Sequence, residues 1–460
     1  MSDKSRKTPD HPAEELQAGL REVEAELARR WPESRIEPSL DRIAALMDIL
    51  GQPQRSYPAI HITGTNGKTS TARMIEQLLL AFELRTGRYT SPHVESVTER
   101  ISLDGLPITV EGFVETYRDI APYIGMVDQS QPVPMSFFEV LTAMAYAAFA
   151  DAPVDVAVVE VGMGGSWDAT NVIDAAVSVI TPIALDHTDK LGRTPGAIAV
   201  EKSGIVKKGA LAVVAQQPLD AAETILRRAV EVDATVAREG MEFGLLHRSL
   251  AVGGQLITLR GIGGESYEDI FLPLHGAHQA HNAALALAAV EAFFGVGGAH
   301  NGQLDADKVR QAFAAVTSPG RLEVVRRSPT VLLDAAHNPA GAQATAEAIS
   351  DSFGFTRLVG VVATSSDKDI RGLLEQFEPI FAEIVVTQNS THRATPADQL
   401  AELAVEVFGS DRVQVEPRLD DAIDAAVALA EEGGDLGGAG VLVTGSVYTV
   451  GEARILLGRN

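Results

Sequence analysis

The sequence predicts an α/β protein of two domains, each built on a mostly parallel sheet. Three observations carry that prediction. Short apolar runs of strand type alternate with segments of helical spacing along most of the chain, the pattern of a parallel sheet with helices on its faces. "AIHITGTNGKTSTARMIEQLLLAFE" (59–83) reads strand, glycine-rich turn, helix, which is the order of a phosphate-binding loop. Pro319-Gly320 in "TSPGRLEVV" (317–325) breaks the chain before a second alternation begins, and 460 residues exceed one core of ordinary size. The expected organisation is a disordered tail over 1–12, an N-terminal P-loop ATPase-type domain over 13–318, and a smaller C-terminal Rossmann-like α/β domain over 319–460.

The elements follow in order. "AEELQAGLREVEAELARRW" sets Leu16, Leu20, Val23 and Leu27 on one helical stripe. "LDRIAALMDILG" reads as a second helix closed by Gly51. "AIHIT" is a short β-branched strand, and "TARMIEQLLLAFE" is the helix behind the loop. "VDVAVVEVG" (154–162) and "AAVSVITPI" (175–183) are continuous apolar runs, as expected of strands buried on both faces. "PGAIAVEKSGIV" (195–206) is helical and then turns, while residues 210–275 read as β-rich and irregular. "HNAALALAAVEAFFG" (281–295) is a strong helix. Beyond the linker, "TVLLDAA", "RLVGVVAT", "EIVVTQ" and "GVLVTGS" are strands of buried type, and "EEGGDLGGAG" (431–440) is a flexible loop.

Composition narrows the function. The hydrophobic fraction is 45% and the charged fraction 22%, ordinary for a soluble globular chain. The formal net charge of -24 argues against a nucleic-acid partner, which needs a basic surface. An anionic ligand would therefore be met by particular Lys or Arg side chains, Mg2+ or backbone N–H groups. There are no cysteines, so disulfides, thiolate nucleophiles and cysteine zinc sites are excluded. The N-terminal "MSDKSRKTPDHPAEE" has no apolar stretch of signal type, and no run of about 18 apolar residues predicts a membrane helix. A cytoplasmic enzyme with no membrane or nucleic-acid partner is the expectation.

The loop departs from the standard phosphate-binding pattern. Gly67-Lys68-Thr69 fits its end, but Ile62 stands where the first glycine belongs. The physics survives the mismatch. Gly64 and Gly67 reach backbone conformations closed to other residues, and their N–H groups and the N-terminus of the helix that follows can face anionic oxygens. Lys68 supplies a point charge for the β- and γ-phosphates, and the Thr69 hydroxyl suits Mg2+. A helix-capping turn is the plainer alternative.

Other clusters are individually ambiguous. Glu160 ends a buried strand before a glycine-rich turn, where parallel sheets bind ligands; it reads as a Mg2+ ligand or as a local salt bridge. "ITPIALDHTDKLGRTPGAIAVEKSGI" (180–205) adds Asp186, His187, Asp189 and Lys202, each following an element of the same sheet. A lone histidine there is often structural, and a helical lysine is often a solvated charge. Phe138 reads either as core or as an aromatic platform.

Eight segments taken together, "TGTNGKTS", "YTSPHV", "EVGMGGSWDATN", "LDHTDKLGRTPGAIAVEKSGI", "GAHQAHNAALALAA", "PGRLE", "DAAHNPAG" and "GSVYTVGE", resemble the folylpolyglutamate synthase / dihydrofolate synthase family of the Mur ligase superfamily. The resemblance spans nearly the whole chain. It implies an ATP-dependent ligase that adds L-glutamate to folates, with dihydropteroate as a second acceptor, through an acyl phosphate. It implies Mg2+, two ions, with Ser91 and Glu160 on the first and His187 on the second. Lys68, His187 and Lys202 are the implied catalytic residues, and Lys202 matches a lysine that the family carbamylates. Gly64 to Ser70, Asn282, Arg321, Asp334, Ala335, Ala336 and His337 match its ATP contacts. Arg42, Phe138, Glu139, Trp167, Asp168 and Ala169 match its folate side. Ser166 stands where the family commonly has Arg, which bears on substrate preference. A monomer is expected.

Two competitors fit less well. A Mur ligase acting on a UDP-sugar peptide carries a further N-terminal UDP-binding domain, for which the stretch before residue 63 leaves no room. A P-loop GTPase needs a guanine-reading N-K-x-D; "SSDKD" (365–369) lacks the Asn.

Overall fold

The computed structural model describes residues 12–32, 35, 37–296, 302–432 and 438–458. The tail expected over 1–12 lies outside the described residues except for Pro12, where the first helix, Pro12–Ala28, begins. Much of the loop expected over 431–440 lies outside them too.

Among the described residues the strands form three sheets. The first contains β1 (Ala59–Thr63), β2 (Thr86–Tyr89), β3 (Ile101–Leu103), β4 (Leu106–Pro107), β5 (Val156–Glu160), β6 (Val177–Ile180), β7 (Leu211–Val214) and β8 (Thr235–Arg238), in the order β4-β3-β2-β5-β1-β6-β7-β8. β2 to β8 pair in parallel except at the edge, where β3 runs antiparallel to β2 and to β4. The valine-rich runs predicted as doubly buried strands are so: every residue of β1, β5 and β6 is buried. One face packs on the helices Lys68–Ala81 and Ala277–Phe293, the other on Asp41–Ile49, Val110–Ser130 and Phe137–Asp151. Apolar burial on both faces is what makes a parallel sheet stable.

β9 (Gly244–Ala251), β10 (Gly254–Arg260) and β11 (Ser266–Leu272) form a separate antiparallel sheet against Ala277–Phe293. The 210–275 region is therefore less uniformly β than its sequence suggests, because the helix Leu219–Glu231 sits between β7 and β8. Ala221, Ile225 and Ala229 recur at helical spacing and are buried, with charged residues around them.

The last sheet, in the order β12-β13-β17-β14-β15-β16, is built from β12 (Glu323–Arg327), β13 (Thr330–Leu333), β14 (Arg357–Val362), β15 (Glu383–Val386), β16 (Val413–Val415) and β17 (Ala439–Thr444). All pairs are parallel but β12–β13. "PGRLE" joins the two lobes. No helix of the described residues is long and apolar enough to cross a membrane.

In the first sheet β1 lies between β5 and β6, so the chain leaves β1 on one side and later crosses to the other. Ligands bind outside the carboxyl ends of strands at such a switch point. The loops after β1, β5 and β6 all open there, and the loops after β13, β14 and β17 face them from the other lobe.

Candidate active site

The phosphate loop follows β1, and its two glycines are required by space as well as by backbone angle. Gly64 has φ +144 and Gly67 φ +87; a Cβ on the first would collide with the Thr181 hydroxyl, and one on the second would lie 2.6 Å from Asn282 Oδ1. Lys68 opens the helix Lys68–Ala81 and folds back, its Nζ donating to the carbonyls of Gly64 and Thr65 at 3.2 Å each. Burial lowers its pKa, and the Lys368 and Arg321 charges add to that, while Glu160 and Asp186 oppose it.

Glu160 ends β5 beside the loop and is 1% exposed. The Thr69 hydroxyl lies 3.0 Å from both of its carboxylate oxygens. Burial raises the Glu160 pKa, against the pull of Lys68, Thr69, Arg321 and the Ser91 backbone N–H. A buried carboxylate with hydroxyl neighbours and surplus lone pairs is an oxygen donor set that fits Mg2+, which keeps most of its shell as water and phosphate. Among the described residues no three His, Asp or Glu side chains gather into a complete metal cage.

Lys202 ends the helix Pro195–Lys202 and is 4% exposed. Its Nζ donates to Gly64 O at 2.7 Å, so it touches the phosphate loop from below. Burial, helped by the Lys68 charge, brings its pKa down to about 7. His187 follows β6 with φ +49, and burial lowers its pKa to about 3, which leaves the neutral imidazole.

The second lobe meets these residues across the cleft. Asn338 caps the helix Pro339–Ser352 and exchanges side-chain hydrogen bonds with Asn66, at 3.0 and 3.2 Å. Asp334 accepts from the amides of Ala336 and Leu322 at 3.0 Å and from the Thr345 hydroxyl at 2.7 Å, so its carboxylate also holds the linker in place. Gly64 to Ser70, Glu160, Lys202, Asn282, Arg321 and Asp334 to His337 all line one cavity.

A second cavity lies alongside. Arg42, Phe138, Glu139, Trp167, Asp168 and Ala169 line it, together with Trp31, Arg393 and Lys368. Phe138 is both readings at once: its ring packs 5.9 Å from Tyr89 and against Gly162, yet lines the cavity. Arg42 and Glu139 hold each other. Arg42 Nε lies 2.9 Å from Glu139 Oε1, both are buried, and Glu139 also closes a capping box with Ser136. Asp168 caps the turn Ala169–Val172 through the Thr170 amide and accepts from the Met163 amide at 2.9 Å. Its burial raises the pKa to about 6. Glu139→Ala is expected to destabilise the protein by about 3–5 kcal/mol, because it leaves the Arg42 guanidinium buried without its partner. Chemical denaturation of the pure variant checks this, and a cost below about 1 kcal/mol would show the pair to be exposed in practice.

The two cavities share a wall. Ser91, Pro92, Gly162, Met163, His187, His337 and Val447 line both. Ser166, exposed, donates to Glu201 O at 3.1 Å instead of facing either cavity. Lys368, Asn338 and Arg393 were not singled out from the sequence. Lys368 lies within "SSDKD" and Asn338 within "DAAHNPAG", but only their arrival opposite the first lobe marks these side chains individually.

Two lobes closing a phosphate loop against an acceptor cavity define a Mur-type ATP-dependent ligase. The comparisons agree: residues 62–290 match the Mur ligase middle domain and residues 320–447 the Mur ligase glutamate ligase domain. The chain is 55% identical to the dihydrofolate synthase/folylpolyglutamate synthase of Mycobacterium tuberculosis, over 96% of this chain and 95% of that one. It is 31% identical to the Bacillus subtilis protein of the same name, over 93% and 97%. The solved M. tuberculosis folylpolyglutamate synthase complexed with ADP superposes with a TM-score of 0.92 at 56% identity, covering 97% of this chain and 99% of that one. Escherichia coli FolC in complex with DHPP and ADP gives 0.82 at 29% identity, over 95% and 97%. The chain belongs to the dihydrofolate synthase/folylpolyglutamate synthase family.

Proposed function

We propose that this enzyme uses ATP to join L-glutamate to a folate, and that it also converts dihydropteroate and L-glutamate to dihydrofolate. The observation that carries the reading is the shared wall: a nucleotide cavity and an acceptor cavity meet at Ser91, His187 and His337. A γ-phosphate on the loop and an acceptor carboxylate in the other cavity would meet there.

A carboxylate oxygen is a poor leaving group. ATP converts it to an acyl phosphate, and the glutamate amine then displaces phosphate. Such chemistry needs positioning and charge neutralisation more than a covalent nucleophile. The phosphate loop and Lys68 hold the β- and γ-phosphates. Asn282, Arg321 and Asp334 to His337 complete the nucleotide site as the second lobe closes and excludes water. Glu160 and Ser91 would hold one Mg2+ ion and His187 a second, and these would neutralise phosphate charge. Burial lowers the Lys202 pKa to about 7, and its neutral amine would add to CO2, releasing one proton to solvent, to give a carbamate anion beside the phosphate loop. Phe138 and Trp167 provide apolar faces for a pterin ring, and the Arg42–Glu139 pair and the Asp168 turn hold that pocket's shape.

The enzyme is proposed to act as a monomer. An enzyme of this kind is expected in the cytoplasm with its ATP and folates. The test is purified protein with ATP, Mg2+ and L-glutamate, offered dihydropteroate or a reduced folate in parallel. Release of ADP that requires both glutamate and an acceptor is expected with each. Turnover with the folate alone removes the dihydrofolate synthase half of the proposal, and turnover with neither removes all of it.

A further inference from the structure

Asp186 belongs to the first lobe, in the loop after β6, yet most of its side-chain partners come from the second. Its Oδ1 accepts from Lys368 Nζ at 2.6 Å. Its Oδ2 accepts from Asn338 Nδ2 at 3.3 Å and lies 3.4 Å from His337 Nε2. From its own lobe it receives the His187 backbone N–H at 2.9 Å, and the His187 ring stands 3.9 Å away. Lys368 and Asp186 are both deeply set, their side chains 9% and 10% exposed, and among the described residues Asp186 is the only carboxylate within 4.0 Å of that ammonium.

An ion pair removed from water needs both partners, because either alone is left with an uncompensated charge. Here the partners sit on different lobes, so the pair forms only when the lobes meet. Asn338 ties the contact to the phosphate loop through Asn66, and Lys368 Nζ also lies 3.3 Å from His187 Nε2, on the wall the two cavities share. A carboxylate that merely satisfied its own loop would not collect two donors from across a cleft.

We infer that Asp186 is a positioning residue: it docks the second lobe onto the phosphate loop and holds the Lys368 ammonium at the junction of the two cavities, ready for the charge of the acyl phosphate. The inference rests on the ligase reading above and adds the residue that couples closure to chemistry. Asp186 touches no reacting atom itself; it acts through Lys368 and Asn338.

The experiment compares the full chain with Asp186→Asn, Lys368→Gln and the double variant. Steady-state ligation is measured with ATP, Mg2+, glutamate and a reduced folate. Cleft closure is followed by energy transfer between dyes on the two lobes as a non-hydrolysable ATP analogue is added. Asp186→Asn is expected to lower kcat about 100-fold, the cost of misplacing a group by about 1 Å. The KM for ATP rises as well, since Asp334 to His337 reach the nucleotide only when the second lobe closes. The double variant is no worse than the poorer single one, because both changes remove the same placed ammonium. Closure on adding the analogue is reduced in each. A parent-like kcat in Asp186→Asn, or additive losses with unchanged closure, overturns the inference. Should Asp186→Asn fail to fold, Lys368→Gln with parent-like kcat and closure overturns it equally. If the parent closes but ligates no folate, the ligase reading falls while the closure data still judge the latch.

Discussion

Lys68→Ala is expected to lower ligation by roughly 1,000-fold while the protein stays folded. The Lys68 ammonium donates to two carbonyls of its own loop, Gly64 and Thr65, at 3.2 Å each. Its charge is held at some cost, since burial and the neighbouring Lys368 and Arg321 all lower its pKa. A cation kept in such a place finds its counter-charge when the β- and γ-phosphates arrive. Alanine is a good residue for a helix start of this kind, and Gly64 and Gly67 keep the loop's shape. ADP release in the presence of both glutamate and folate is the measurement, with the thermal midpoint as the control. Undiminished ligation by a folded Lys68→Ala protein would refute the role given to the loop.

Lys202→Ala should cost on the order of 100-fold in kcat, and a small carboxylate such as formate should restore part of it. The reasoning starts from burial. Lys202 is 4% exposed, and its pKa of about 7 leaves a large share of neutral amine at neutral pH, the form that reacts with CO2. The resulting carbamate is an anion that a diffusible carboxylate can mimic and alanine cannot. The unmodified lysine makes a second, thermodynamic prediction. Its pKa is lowered on folding from 10.5 to about 7, so between those values the unfolded chain binds more protons. Stability should therefore rise with pH across that window. Lys202→Met should flatten the rise and be the more stable protein below about pH 7. Denaturant midpoints measured with and without bicarbonate check both signs; the same slope in parent and variant would mean that the amine titrates as it does in water.

Much of the fold could be read in advance because its signals are local. The valine runs that became β5, β14 and β17 are continuous because both faces of a parallel strand are covered, and no other element needs that pattern at that length. The phosphate loop was legible despite Ile62, since Gly64, Gly67 and Lys68 meet requirements of backbone and charge that a strict pattern only approximates. The helix Leu219–Glu231 was not, because it lies between two strands in a stretch dominated by β-type runs. Phe138 stayed ambiguous because a ring with core on one side and cavity on the other has the composition of both.

The chain's order by itself determined two parallel-sheet lobes, a loop shaped for phosphates, and the residue types that ligation needs, because helix period, strand burial and glycine's backbone freedom are properties of neighbouring residues. Only the tertiary structure decided that Asp186 reaches Lys368, that Asn66 pairs with Asn338, and that two cavities meet at His187 and His337. Those contacts join positions more than a hundred residues apart, and a buried charge finds its partner through packing, which no short stretch of sequence encodes.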